Sequence, residues 1–270
     1  MSLLLPGIAL LAAGLAAGFA AGLFGIGGGF VVVPALLIVL PLLGGDPHHY
    51  AHVAIGTSAA TIIITSLRSL RAHARRGAVE FDTLRGWAPW IVLGCSAGVL
   101  LADRIDGRVL TLIFGIGVGL MSINFLVPRL GDKVVSDTMP QGMLRIGFAT
   151  GLGTFSSMLG IGGGTLAIML MTLCGRSIHR AIATASGVGT LIAVPTTLGF
   201  VLIGLREANL PWGSLGYVNL PATAAVAAMS IITAPYGVAA AHQLPARPLK
   251  MTFGIYLLVI AFVMVRRALG

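Results

Sequence analysis

Long apolar runs separated by short polar loops follow one another along almost the whole 270-residue chain. A helix needs about 20 apolar residues to cross a bilayer. The runs Leu3–Phe24, Val109–Pro128 and Ala181–Leu205 are of this kind. Over the whole chain the pattern predicts about ten membrane segments, five in each half. The sequence therefore predicts an all-α polytopic membrane protein.

Two glycine-rich segments interrupt this pattern at corresponding places in the two halves. Residues Gly25–Gly29 read Gly-Ile-Gly-Gly-Gly, and the same five residues recur at Gly160–Gly164. Glycine inside a helix costs about 1 kcal/mol relative to alanine, so each glycine triplet predicts a broken helix. Lipid cannot satisfy the N–H and C=O groups that a break exposes, so each break must face protein or a wet cavity.

The breaks divide the chain into two similar halves. The apolar arms that follow them, Phe30–Leu43 and Thr165–Cys174, are too short for a comfortable span. An odd number of segments in each half turns the second half upside down relative to the first, as in many secondary transporters. The sequence predicts one transporter domain over 1–270, built from two inverted repeats at 1–128 and 136–270.

Basic residues are concentrated in a subset of the loops. Only 9% of the residues are charged, against about 25% in soluble domains, and the formal net charge is +9. If the loop 68–85 is cytoplasmic, twelve basic residues lie inside: Arg68, Arg71, Arg75, Arg76, Arg85, Arg129, Lys133, Arg145, Arg176, Arg180, Arg247 and Lys250. Five lie outside: Arg104, Arg108, Arg206, Arg266 and Arg267.

This bias is the one that membrane topology produces. Topology and contact with lipid head groups therefore explain the positive charge better than nucleic acid does. We expect the lipid bilayer as a partner, and no nucleic acid. We also expect an integral, multi-pass protein of the bacterial cytoplasmic (inner) membrane.

Hydroxyl residues follow each break at matching positions. The sequence Ala-Ile-Gly-Thr at 54–57 corresponds to Ala-Ile-Ala-Thr at 181–184. These matches place hydroxyl groups near the start of the span after each break: Thr57, Ser58, Thr184 and Ser186. Such groups often bond only to their own helix backbone. Beside two matched breaks they also offer donors to a ligand.

The ligand that fits this chemistry is a small anion. No Asp, Glu, Lys or Arg lies deep within an apolar run, so binding must depend on neutral donors and on helix N-termini, which attract negative charge. We expect alternating access at the repeat interface, between the two breaks. The predicted substrate-binding residues are Gly25, Gly27, Gly28, Gly29, Thr57, Ser58, Gly160, Gly162, Gly163, Gly164, Thr184 and Ser186.

Other functions have weaker support in the sequence. A membrane-embedded enzyme, the less favoured alternative, needs a nucleophile with a base or a metal cluster, and no such set is visible. His48, His49 and His52 have no second cluster of ligands, which favours a polar loop over a metal site. We expect no metal, no cofactor and no enzymatic activity. The sequence does not determine the oligomeric state.

Several motifs together resemble the TauE/SafE family of membrane permeases. They are the doubled Gly-Ile-Gly-Gly-Gly, the paired Ala-Ile-Gly/Ala-Thr segments, His73-Ala-Arg-Arg-Gly77 and Gly107-Arg-Val-Leu110, and the resemblance covers essentially the whole chain. It implies an exporter of sulfite or of small organosulfonates such as sulfoacetate. The chain departs from the pattern at Thr184-Ala185-Ser186, where the first half has Thr57-Ser58. Thiosulfate, sulfate or a carboxylate are the alternative substrates.

The composition of the apolar runs also bears on energy coupling. Proton-coupled transporters hold an ionisable side chain within the membrane. Here the apolar runs contain no Asp or Glu, and His242 is the one histidine well inside such a run. The sequence therefore predicts no obligatory proton-binding carboxylate, and export of an anion driven by the membrane potential.

Overall fold

The computed structural model describes residues 4–24, 28–126, 134–243 and 246–269, and these residues contain ten α-helices. The helices are α1 (Leu4–Phe24), α2 (Gly29–Val39), α3 (Tyr50–Ala74), α4 (Phe81–Asp103), α5 (Gly107–Leu126), α6 (Gly142–Leu159), α7 (Gly164–Leu173), α8 (Ile178–Gly204), α9 (Leu220–Gln243) and α10 (Ala246–Leu269). Two 3₁₀ turns, Leu40–Leu43 and Pro47–His49, lie between α2 and α3. A short antiparallel hairpin, β1 (Ser214–Leu215) and β2 (Val218–Asn219), precedes α9. The predicted all-α polytopic fold is confirmed.

Within the described residues, six helical segments are long and apolar enough to cross a membrane. They are Leu5–Gly22, Pro47–Ala74, Phe81–Asp103, Ile178–Gly204, Leu220–Gly237 and Met251–Leu269. Shorter apolar helices cover Gly29–Leu43, Gly107–Ile123 and Gly164–Leu173. Two of these three follow the glycine breaks, where the sequence predicts short arms.

Apolar side chains cover much of the outer surface as well as the core. Leu5, Leu100, Leu202 and Phe262, on four different helices, are each more than half exposed. Soluble proteins seldom expose apolar surface on this scale. The helix α2 is the opposite case, because eight of its 11 residues are buried. A helix that is apolar on all sides belongs either in a core or in lipid, and α2 lies in the core.

The most extensive helix contacts join one half of the chain to the other. Helix α1 packs along α9, and α6 packs along α4. In each of these pairs the first helix of one half contacts the fourth helix of the other half. The third helices, α3 and α8, also pack together, and so do the fifth helices, α5 and α10. Both halves therefore contribute residues to each of the two hydrophobic clusters of the described chain.

Glycines set the distance between the helices that join the halves. A Cβ at Gly18 of α1 would collide with Ser230 and Thr233 of α9, and one at Gly94 of α4 would collide with Thr150 of α6. Small residues at such crossings let helix backbones approach closely, which is how helices associate where lipid removes the hydrophobic driving force.

The two short helices α2 and α7 end at opposite ends of the bundle. Val135 N, which precedes α6, donates to Leu173 O at the end of α7 over 2.8 Å, so α6 starts where α7 finishes. Trp212 N donates to Leu43 O, after α2, over 3.2 Å. Trp212 belongs to the loop after α8, so the end of the α2 segment lies next to the C-terminal end of α8. The end of α7 lies next to the N-terminal end of α8. The 27 residues of α8 therefore separate the two endpoints.

The two ends differ in their ionisable residues. We call one the basic end, formed by 74–80, 134–141 and 174–180, where Arg176 pairs with Glu80. We call the other the histidine end, formed by 43–49, 103–107 and 205–219, where His48 pairs with Asp106. The bias of Lys and Arg among the loops predicts that the basic end faces the cytoplasm.

Candidate functional site

The second glycine segment forms a sharp break between α6 and α7. Helix α6 ends at Leu159, and Gly160, Gly162 and Gly163 all have positive φ, at 64°, 67° and 64°. A left-handed backbone costs a residue with a side chain about 1–2 kcal/mol. Three such residues within four positions explain why this segment is made of glycine.

The first break has the same form where it is described. Gly28 has φ 79° and immediately precedes α2, as Gly163 immediately precedes α7. Both residues occupy the N-cap position of a short helix in the left-handed conformation. The predicted site residues Gly25 and Gly27 lie outside the described residues.

The two breaks contact each other in the centre of the bundle. A Cβ at Gly29 would lie 2.6 Å from Gly160 O and 2.8 Å from the Cα of Ile161, so the first residue of α2 packs directly on the second break. Ser58 Oγ, from α3, donates to Gly160 O over 2.7 Å. The structure thus brings together three of the predicted residues, Gly29, Ser58 and Gly160, from different elements.

Thr57 and Thr184 make equivalent hydrogen bonds across the two halves. Thr57 Oγ1 accepts from Asn219 N over 2.9 Å, immediately before α9. Thr184 Oγ1 accepts from Glu80 N over 3.0 Å, immediately before α4. Both threonine side chains are fully buried. The sequence matched the two threonines with each other, but their backbone partners lie 162 and 104 residues away, and no local pattern predicts them.

Ser186 is not part of this group in the structure. Its Oγ donates to Ala183 O, within α8, over 2.6 Å. One turn further along α8, Thr190 Oγ1 lies 2.9 Å from Ser66 Oγ of α3. This pair next to the second break was not predicted. The signal was present, since Thr190 follows Ser186 at helical spacing and so lies on the same face of α8.

Two buried hydroxyl groups beside the second break have no hydrogen-bond partner. Ser156 Oγ lies 2.7 Å from the position that a Cβ on Gly163 would take, and Thr165 Oγ1 follows on the first turn of α7. A buried hydroxyl without a partner costs roughly 1–3 kcal/mol, so nearly all such groups are paired. Sequence reasoning missed both residues, which look like ordinary helix hydroxyls.

The ion pairs between described residues lie at the two ends of the bundle. At the basic end, Glu80 Oε1 lies 3.3 Å from Arg176 Nε and 3.8 Å from Arg180 Nη1. Thr83 Oγ1 donates to Glu80 Oε2 over 3.1 Å. Because Glu80 N is bonded to Thr184, this ion-pair group anchors the start of α4 to α8.

The histidine end is held by contacts between loops of both halves. His49 Nδ1 lies 3.2 Å from Tyr217 Oη, and its Nε2 lies 3.6 Å from Glu207. His52 stacks on Tyr217 with ring centroids 4.9 Å apart, and its Nε2 lies 2.9 Å from Ala102 O. His52 therefore belongs to α3 and is buried, whereas the sequence suggested a polar loop.

His48 completes the contacts at the histidine end. Its Nδ1 lies 3.2 Å from Asp106 Oδ2, between α4 and α5. The backbone N–H of Arg108, and then His48, hold the pKa of Asp106 below its usual value. The described part of the chain contains no group of three or more His, Cys, Asp or Glu residues arranged to hold a metal ion.

We expect Thr57→Ala to lower the free energy of unfolding by about 1–3 kcal/mol, because Asn219 N–H would be left buried without an acceptor. Thr57→Ser keeps the acceptor oxygen and is the matched control. Thermal denaturation of the purified protein measures the difference. A melting temperature for Thr57→Ala equal to that of the wild type would contradict the role of this bond.

Comparison with known proteins gives consistent matches over nearly the whole chain. A family model described as "Sulfite exporter TauE/SafE" matches residues 10–264. A "Probable membrane transporter protein" of Haemophilus influenzae is 34% identical over 248 residues, which is 92% of this chain and 94% of that protein. A probable membrane transporter of Methanocaldococcus jannaschii is 27% identical, covering 92% of this chain and 91% of its own length. No solved structure gives a significant match.

Proposed function

The chain belongs to the TauE/SafE family of membrane transporters, and from this we propose that it is a secondary transporter that exports small anions, with sulfite and small organosulfonates as its leading substrates. The protein is an integral, multi-pass membrane transporter and not an enzyme.

Two helix N-termini that border the second break carry the proposal of an anion site. Helix α2 begins at Gly29, which packs on Gly160 at the start of the second break, and α7 begins at Gly164 at the end of that break. Each helix N-terminus carries roughly half a positive charge and N–H groups that lack a partner within the helix. Two such termini bordering the same break favour an anion there without a buried basic side chain.

The unpaired hydroxyls of Ser156 and Thr165 support the same position. They offer neutral donors beside the second break, and a bound oxyanion would satisfy both. We propose that they join these residues identified from the sequence: Gly28, Gly29, Thr57, Ser58, Gly160, Gly162, Gly163, Gly164 and Thr184. In this arrangement Thr57 and Thr184 fix the neighbouring helices through their backbone bonds, while the break backbone and the free hydroxyls contact the anion.

We propose that the halves 1–128 and 136–270 are inverted repeats that alternate access to this site. The pairing of α1 with α9 and of α6 with α4 supports a two-fold relation between them. The bonds of Thr57 and Thr184, each to a residue of the other half, support it too. Rocking of one half against the other would then open the basic end and the histidine end in turn.

Transport by the purified protein in proteoliposomes tests this function. We expect flux of sulfite and sulfoacetate above that of protein-free liposomes, and little flux of taurine, which is zwitterionic. Thiosulfate, sulfate and a small carboxylate test the alternative substrates. Absence of flux for every anion in a correctly inserted preparation would reject the proposed function.

A further inference from the structure

A cavity of about 490 Å³ opens at the basic end, away from the breaks. Its lining includes two guanidinium groups, those of Arg145 and Arg176, and one carboxylate, that of Asp82. Thr83 and Trp87 of α4 also line it. The lining thus carries one positive charge in excess, and the volume is within the usual range for small-molecule sites.

Arg145 is held in this cavity at an energetic cost. It lies in the first turn of α6, where the helix dipole disfavours a positive charge. Its Nε is buried and has no hydrogen-bond partner. Gly86 of α4 leaves room for the guanidinium group, since a Cβ there would lie 3.3 Å from Arg145 Nη1. A bound anion would relieve both the unfavourable charge and the missing hydrogen bond.

Arg176 is only partly neutralised by its neighbour. Its Nε is buried and lies at ion-pair distance, 3.3 Å, from Glu80 Oε1, but it has no hydrogen-bond partner. Glu80 in addition faces Arg180. One carboxylate shared between two guanidinium groups leaves positive charge available to a ligand.

The cavity leads towards the breaks but is closed before it reaches them. It shares Thr83, Trp87 and Met139 with a second, narrow space of about 10 Å³ that is bordered by Thr184. That volume holds about one water molecule and no larger anion. Trp87 and Leu84, both buried, fill this passage between α4 and α8.

We propose that Arg145 and Arg176 form an anion-collecting vestibule at the basic end, which binds a small oxyanion such as sulfite or a sulfonate before it passes Leu84 and Trp87 to the breaks. This inference rests on the proposed function for its substrate, and its site is separate from the one at the breaks. A lipid phosphate would offer the same chemistry to a lining that includes loop residues 138–141 at the end of the bundle, and titration in two different lipids distinguishes the two sources.

Fluorescence of Trp87 tests binding in the vestibule directly. With Trp90 and Trp212 replaced by phenylalanine, Trp87 is the one remaining tryptophan of three. Sulfite titrated into this protein in phosphatidylcholine nanodiscs should change its emission. Arg145→Gln should shift the midpoint to about tenfold higher sulfite or more, the size expected for a lost hydrogen bond to a charged group.

Arg145→Lys should recover part of the affinity for sulfite. The matched control is Arg104→Gln, which replaces an exposed arginine at the histidine end and should leave the midpoint unchanged. Arg176→Gln provides a second test if Arg145→Gln fails to fold. A midpoint that is unchanged in the folded glutamine variants would overturn the vestibule. Loss of the sulfite response in phosphatidylglycerol nanodiscs at high salt, where the anionic surface no longer repels sulfite, would also overturn it, because an anionic lipid head group would then occupy the cavity.

Efflux kinetics separate this inference from the proposed function. Arg145→Gln should raise the KM for sulfite on the basic side about tenfold and leave the maximal rate near that of the wild type, because the breaks are unaltered. An unchanged KM in an active Arg145→Gln protein would reject the vestibule alone. If sulfite changes Trp87 emission in a way that depends on Arg145, but the wild-type protein carries no anion flux, the proposed function is rejected and the vestibule is retained.

Discussion

Gly163→Val is expected to reduce anion transport at least about a hundredfold, to below detection, while the protein still inserts into the membrane. The backbone of Gly163 has φ 64°, which costs a residue with a side chain about 1–2 kcal/mol, and a β-branched residue more. A Cβ would collide with Ile192 and lie 2.7 Å from Ser156 Oγ. Forcing extra atoms into a packed site adds about 1–3 kcal/mol.

Gly163 lies at the start of α7, where the proposed anion would bind. The valine side chain would therefore both distort the break and occupy the space of the ligand. Flux of sulfite in proteoliposomes, with membrane insertion checked by detergent extraction and gel filtration, measures the effect. Gly151→Val is the matched control, because Gly151 lies on the exposed face of α6 with nothing near its Cβ position. Wild-type flux in Gly163→Val would refute the role of the break.

Sulfite efflux is expected to follow the membrane potential when the pH is equal on both sides. Moving one charge across 100 mV is worth about 2.3 kcal/mol, which corresponds to roughly a 50-fold gradient for a monovalent anion. The described Asp and Glu residues lie in loops or in the terminal turns of helices: Asp46, Glu80, Asp82, Asp103, Asp106, Asp137 and Glu207. None of them is placed at mid-bilayer to carry a proton.

Proteoliposomes loaded with sulfite, with a potassium–valinomycin potential imposed in either sign, provide the measurement. A potential that is negative inside should accelerate efflux, and a potential that is positive inside should slow it. Protein-free liposomes and the Gly163→Val protein are the controls for leakage. A rate of sulfite efflux that does not change with voltage but increases with an imposed pH gradient would overturn the prediction and indicate coupling to protons.

The sequence by itself determined the fold class and the position of the breaks. Apolar runs of sufficient length predict helices because the bilayer leaves few alternatives, and a glycine triplet breaks a helix through the local properties of the backbone. The predicted short arm Thr165–Cys174 agrees with α7 at Gly164–Leu173 within one residue at each end. These features depend on neighbours in the chain, so the chain order alone reveals them.

The tertiary structure decided which of the candidate residues meet. Ser58 donates to Gly160 O, 102 residues away, while Ser186 donates to Ala183 O within its own helix, although the sequence placed both among the predicted binding residues. Whether a hydroxyl bonds to a distant backbone, to its own helix or to nothing depends on how the helices cross. Hydropathy does not record that geometry, because every crossing presents the same apolar pattern.

The unpaired groups were likewise visible only in three dimensions. Ser156 and Thr165 look like routine helix hydroxyls, and Arg145 counts in the sequence as one more basic residue on the cytoplasmic side. Their lack of partners follows from burial by α4, α7 and α8, which come from both halves of the chain. A missing hydrogen bond is a property of the surrounding atoms and not of the residue, so only the packed structure identifies it.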